Sequence, residues 1–164
     1  MVLPIAKSPA KILRHPTKTV VFPLSKDVKR LLKDMLNTVK RAEGIGLAAP
    51  QVSKNLNLAL IYLAEAGGPT FFLFNPKIVK SSKKTVDLEE GCLSAPGVFG
   101  MVERPEKITV EAQNSEGKTI TITDNAWIAR VMQHEIDHLN ATLIVDKLKS
   151  ITKGQELLSK YKQK

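Results

Sequence analysis

A chain of 164 residues, 43% of them hydrophobic and 25% charged, is long enough for one domain that buries roughly two-thirds of its unfolded surface. One cysteine excludes an intramolecular disulfide, and no stretch approaches the roughly 18 apolar residues of a membrane span. The formal net charge of +9 is segregated: residues 1–41 hold ten Lys or Arg against two acids and 146–164 six against two, while 42–145 hold nine against twelve.

The segment from Met1 to Lys7 has no apolar run of signal-peptide length, so cytoplasm is the expected compartment. His15, between Arg14 and Pro16, reads as an exposed loop residue. Ser25 can cap a helix running to about Arg41, in which Val28, Leu31, Leu32, Met35 and Val39 recur at helical spacing as a core stripe, with Gly44 just past its end.

Next comes Gly44-Ile45-Gly46-Leu47-Ala48-Ala49-Pro50-Gln51. Its glycines do not form G-x-G-x-x-G, and no G-K-[ST] follows, so a nucleotide cofactor is excluded. One reading is a loop whose missing side chains let another peptide backbone approach, with Gln51 as an amide donor for an oxyanion. The other is a helix cap at Gly44 and a buried loop in which Gln51 is satisfied internally.

Strand-like runs occupy 58–63, 71–74, 107–112 and 118–123, the last two joined through Asn114-Ser115-Glu116-Gly117 as a hairpin. Strands that cluster instead of alternating with helices predict antiparallel sheets and an α+β class. Between them lies Glu90-Gly91-Cys92-Leu93-Ser94, a turn-rich segment with the lone cysteine. Cys92 is either a small buried hydrophobe or a metal ligand.

A helix starting at Asp124 or Asn125 carries Trp127, Val131, His134 and His138 on or near one face. His134 and His138, four apart, can bind one metal ion, and Glu135 can reach a water on that ion as a general base, which is the content of H-E-x-x-H. A catalytic site of this kind takes three protein ligands, and Cys92 offers the third. The alternative is a polar helix face whose histidines bind nothing, with Trp127 and Val131 as ordinary core. The lysines near the start and over 146–164 suit a polyanion away from the centre or are simply solvated.

Taken in order, G-I-G-L-A-A-P-Q, E-G-C-L-S and Q-H-E-I-D-H-L resemble the three motifs of the peptide deformylases. The likeness covers nearly the whole chain, as one catalytic domain over 1–164, and includes Pro9 to Arg14, Phe74-Asn75-Pro76 and Val102-Glu103-Arg104. One departure is Asn140-Ala141, where many relatives have glycine in the second place; it bears only on the conformation of the turn, and Asn140 tolerates a left-handed cap.

The resemblance implies antiparallel sheets packed around a central metal-bearing helix. It also implies hydrolysis of the N-formyl group from formyl-methionyl nascent peptides, releasing formate. One divalent ion, ferrous iron with zinc, nickel or cobalt as alternatives, would be held by Cys92, His134 and His138. Glu135 would move the proton, while Gln51 and the Leu93 N–H would stabilise the formyl oxygen. The substrate backbone would pair with Ile45-Gly46 and Gly91, and the methionine would enter a pocket of Ile45, Trp127, Val131 and His134. Glu90 and Arg104 would help shape the groove, and Asp137 would orient the site or anchor the helix to a basic neighbour. In some relatives a basic C-terminal helix docks on the ribosome, and the resemblance implies a matching helix here at about 152–162, around Gln155 to Tyr161. Two rival readings are an H-E-x-x-H endopeptidase, which gives Cys92 and Gln51 no role, and a non-enzymatic RNA-binding protein, for which eight aromatics and a charge-poor centre are a weak basis.

Overall fold

Helix α1 (Lys26–Arg41) begins where the Ser25 side chain accepts a hydrogen bond from the Val28 N–H, with Asp27 in its first turn and Lys40 and Arg41 in its last, charges that suit the helix dipole. Leu31, Met35 and Val39 are buried on one stripe. The helix closes with Gly44 N–H donating to Val39 O at 3.0 Å and Glu43 N–H to Lys40 O at 3.2 Å. The left-handed residue is Glu43, with φ 53°, and not Gly44. The computed structural model describes residues 1–162.

A five-stranded antiparallel sheet has the order β1 (Gly46–Ala48), β2 (Leu58–Tyr62), β3 (Thr70–Ser81), β6 (Lys107–Gln113) and β7 (Thr119–Asn125). Every residue of β2 is buried because both faces are covered. Leu58, Leu60 and Tyr62 pack with α1, while Ile61 packs with helix α2 (Ala126–Leu139) on the opposite face. The expected hairpin joins β6 to β7 with Gly117 at φ 81°. Strand β3 runs seven residues beyond its expected end at Phe74, passing Asn75-Pro76 through a register shift. Asn75 takes φ 51°, and its side chain bonds both N–H and C=O of Val20. A turn signal in the sequence is thus a bulge in the fold.

The second sheet, β4 (Thr85–Gly91), β5 (Phe99–Pro105) and β8 (Leu148–Lys153), has no counterpart in the expected strands. It takes the start of the expected C-terminal helix: residues 152 and 153 are strand, Gly154 is left-handed, and only a 3-10 turn (Gln155–Leu157) and four α-helical residues (Leu158–Tyr161, α3) follow. Helix α2 lies against the five-stranded sheet through Ala129, Val131, Met132 and Ile136, and its arginine and glutamine reach the second sheet. It ends with Thr142 N–H on Asp137 O and Ala141 N–H on His138 O. Ala141, with φ 60°, takes the left-handed position, whereas Asn140 keeps φ −101° and donates its side-chain amide to Ile136 O.

Candidate active site

Two elements bring the donors together. Helix α2 presents His134 and His138 with ring centroids 5.1 Å apart, and β4 ends at Gly91 so that Cys92 follows it into the gap. The Cys92 Sγ lies 3.2 Å from His138 Nε2, and one ligand atom from each of the three residues falls within 4.8 Å of the others. Burial opposes ionisation of the Cys92 thiol, but the neighbouring imidazoles outweigh it and hold its pKa well below the ordinary value. Burial likewise disfavours charge on His134, yet hydrogen bonds with Cys92 and Glu90 raise its pKa well above normal, so metal binding there would release a proton. A thiolate and two imidazoles fit a borderline divalent metal.

The orientation of His134 comes from a residue that the sequence ranked low. His134 Nδ1 meets Glu90 Oε2 at 2.9 Å, which leaves Nε2 for the site. Glu90 is clamped by Arg104 at 2.6 and 3.0 Å and by Arg130 at 3.0 Å. Burial pushes its carboxyl up, but hydrogen bonds from His134 and Arg104 dominate and hold it well below the usual carboxylate range. Arg130, which the sequence reading did not single out, also donates to Val102 O and Val86 O, so it ties α2 to two strands of the second sheet. Asp137 touches neither histidine side chain by hydrogen bond. It pairs with Arg104 at 2.7 Å and Lys147 at 2.9 Å, which is the anchoring role of the two considered.

Glu135 is 4% exposed, and its Oε2 has no hydrogen-bond partner among the described residues. Burial pushes this carboxyl up, against the charges of His134 and His138, to about 7. Its Oε1 explains Gly46: a Cβ there would sit 2.3 Å from that oxygen. Gly91 has a separate cause, since a Cβ would lie 2.4 Å from the Phe99 ring. Both glycines therefore answer to neighbours within the chain.

Gln51, in a 3-10 turn over Ala49–Val52, is 1% exposed. Its Oε1 accepts from Ala48 N–H at 2.8 Å, while Nε2 donates to Ser94 Oγ at 3.2 Å and stands 3.8 Å from Cys92 Sγ. Its amide nitrogen thus points at the metal-ligand cluster. Among the described residues the Leu93 N–H has no intramolecular acceptor. A cleft of about 550 Å³ opens over the cluster, lined by Ile45, Gly46, Gln51, Gly91, Leu93, Trp127, Arg130, Val131 and Glu135 among others. Ile45 is 45% and Trp127 59% exposed at its rim, and Val131 is buried in its wall. The cleft thus brings together most of the residues the sequence nominated; His138 meets Cys92 beneath it, while Arg104 and Asp137 do not line it, Arg104 being buried behind Glu90 instead of shaping the groove.

An H-E-x-x-H helix, a third soft ligand and an unpartnered buried carboxylate define a metal-dependent hydrolase. The polypeptide deformylase family profile matches residues 2–154. The chain is 40% identical to the peptide deformylase of Halothermothrix orenii over 157 residues, covering 96% of this chain and 99% of that one. It is 42% identical to that of Symbiobacterium thermophilum over 146 residues, 89% of this chain and 66% of the longer relative. The crystal structure of a peptide deformylase from Legionella pneumophila superposes with a TM-score of 0.87 at 35% identity, over 98% of this chain and 91% of that one. This chain belongs to the polypeptide deformylase family, metal-dependent hydrolases that remove the N-formyl group from nascent peptides.

Proposed function

We propose that Cys92, His134 and His138 hold one ferrous ion, and that the reaction carried out over them is release of formate from the formyl-methionine of nascent chains in the cytoplasm. The same donors accept zinc, nickel or cobalt. The supporting observation is the triangle of donor atoms beside an unpartnered Glu135 oxygen. When bound, the ion supplies Lewis-acid polarisation and acidifies water near neutral pH.

The protein's own residues do the rest. Glu135, poised near neutrality, takes a proton from the attacking water and returns it to the leaving amine. Gln51 Nε2 and the Leu93 N–H donate to the formyl oxygen as negative charge grows on it. Among the described residues strand β1 is an edge strand paired only with β2, and its other edge can take the substrate backbone at Ile45 and Gly46, with Gly91 on the facing side of the cleft. The methionine side chain enters between Ile45, Trp127 and Val131, with His134 at the base. Ribosome association belongs to the same reading, and the basic C-terminal segment, with Lys160 and Lys162 at the surface, is one contact for it.

Formate released from formyl-Met-Ala-Ser by anaerobically prepared, iron-loaded protein tests the reading, with Glu135→Ala and Cys92→Ala alongside. Release by the parent protein alone is expected. Cleavage of casein without formate release would point to an endopeptidase instead.

A further inference from the structure

We propose that the solvent face of α1 is a docking surface for the phosphate backbone of RNA, placed so that its C-terminal end adjoins the mouth of the cleft. The inference rests on the reading that the substrate is a nascent chain, which emerges from an RNA-rich particle.

At 100° per residue, Lys26, Lys29, Arg30, Lys33, Asn37, Lys40 and Arg41 fall within about 120° of arc on α1, and all seven are exposed. From Lys26 to Lys40 this stripe runs about 21 Å at 1.5 Å per residue. No acid lies within it. The two acids of α1 fall on its flank and are both engaged, Asp27 by Arg30 and Asp34 by the N-terminal ammonium. Lys26, Lys29, Lys33 and Arg41 form no ion pair among the described residues. Lys40 lies over the Tyr62 ring, 5.6 Å from its centroid, and its charge remains available.

The surface on the second sheet differs. There Lys149 is held by Asp87 and Glu103, so its field is cancelled locally. A row of unneutralised cations along a rigid rod is the footprint that a phosphate backbone needs. A lipid surface fits poorly, because α1 turns Leu31, Met35 and Val39 into the core and sets no exposed apolar side chain within the stripe. The stripe also has a direction. Its last residues run into Ala42, Glu43, Gly44 and Ile45, which line the cleft. RNA bound along α1 would hold the cleft beside whatever leaves that RNA particle.

The test is fluorescence anisotropy with a labelled oligouridylate longer than the stripe, between about 50 and 200 mM KCl. Four to five phosphate contacts predict a log–log salt slope near −3 and affinity falling on the order of a hundredfold over that range. Replacing Lys29, Lys33 and Lys40 together by Glu should weaken binding at low salt by tenfold or more and flatten the slope by about 2. The corresponding triple Gln variant, with smaller changes in the same direction, guards against a folding defect. Hydrolysis of a short formyl-peptide should be unchanged in both. The inference is overturned if the parent protein does not bind, if the triple variants bind as the parent does, or if Lys160→Glu with Lys162→Glu removes the binding instead. It is overturned in favour of a membrane if the same variants lose binding to phosphatidylserine vesicles and not to RNA. Loss of formyl-peptide hydrolysis in the parent protein with RNA binding intact would sink the enzymatic reading and leave the surface standing.

Discussion

Helices α1 and α2 are alike in length, 16 and 14 residues, and both close with the same hydrogen-bond pattern around a left-handed residue that is not glycine. They differ in where their polar side chains go. On α1 the polar side chains are mostly at the surface, and the buried Thr38 is satisfied locally, donating to Asp34 O and accepting from Leu3 N–H. On α2 Arg130, Gln133, Glu135 and His138 are all buried. Burial of polar groups is tolerated only with partners, and the second sheet supplies them through Glu90 and the carbonyls of Val86, Val102 and Pro105. Two atoms of α2 are left out, Glu135 Oε2 and His138 Nδ1. Both unsatisfied atoms therefore fall at the candidate metal-binding cluster. Helix α1 is held by hydrophobic burial with its polar face free to vary, whereas α2 adds to its own apolar contacts a buried polar network that stops at two atoms beside the candidate metal site.

Glu135→Gln should break this contrast hardest. It keeps the volume and removes the proposed base, so formyl-peptide hydrolysis should fall by roughly 10²–10⁴. Stability should move the other way with pH in the metal-free protein. A carboxyl whose folded pKa is raised to about 7 binds more protons folded than unfolded, so its contribution is full at low pH and is lost as pH rises towards 7. Thermal melts at pH 5 and pH 8 should therefore show a smaller loss in Glu135→Gln than in the parent protein. Equal losses would mean that Glu135 is not the strained group.

Glu90→Gln attacks the network from the opposite side. It leaves Arg104 and Arg130 buried with a lost counter-charge, a change of about 3–5 kcal/mol in comparable sites. It also weakens the acceptor that orients His134, so affinity for zinc measured against a chelator should drop about 10–100-fold. A variant with the parent's melting temperature and zinc affinity would show that Glu90 is a bystander.

Met35→Ala is the matching test on α1. Met35 is fully buried between the helix and the sheet, and its truncation should cost about 2–5 kcal/mol. Its effect on turnover at a temperature where the variant is folded should be negligible, because no polar link runs from α1 to Glu135. A fall in kcat without a fall in stability would couple the two helices after all.

The same contrast explains what could be read from the sequence. Helix α1 was legible because burial on one side alone prints a helical period, and its cap at Ser25 is local. The two candidate histidine ligands were legible because H-E-x-x-H is a one-turn motif, and Cys92 because it is the chain's one cysteine. The second sheet was not, because its strands carry charges that are neutralised only across strands, as Lys149 is with Asp87 and Glu103, or buried in pairs, as Glu90 is with Arg104. Glu90 and His134 are 44 residues apart, so nothing local marks their hydrogen bond. Asp137, one turn from His134, was the more visible acid and serves as an anchor to Arg104 and Lys147. Arg130 has no local signal either, because the groups that receive it, Glu90 and the Val86 and Val102 carbonyls, lie on a sheet 28 to 44 residues away in the chain.

The two helix ends offer the finest test. Ala141 at φ 60° and Glu43 at φ 53° both hold a conformation that costs a residue with a Cβ about 1–2 kcal/mol relative to glycine. Glycine at either place recovers that strain and returns about 0.4–1 kcal/mol through the freer unfolded chain, so Ala141→Gly should stabilise by at most about 1.6 kcal/mol. Glu43→Gly should gain slightly more, since it also removes a negative charge from the C-terminal, electronegative end of α1. Urea melts of the two single variants and the double should be additive, because each closure is built from its own helix's carbonyls, Val39 and Lys40 on one side and Asp137 and His138 on the other. If Ala141→Gly instead lowers stability, the Asp137 and His138 carbonyls depend on Ala141 for more than its φ, and the end of α2 is part of the site it carries.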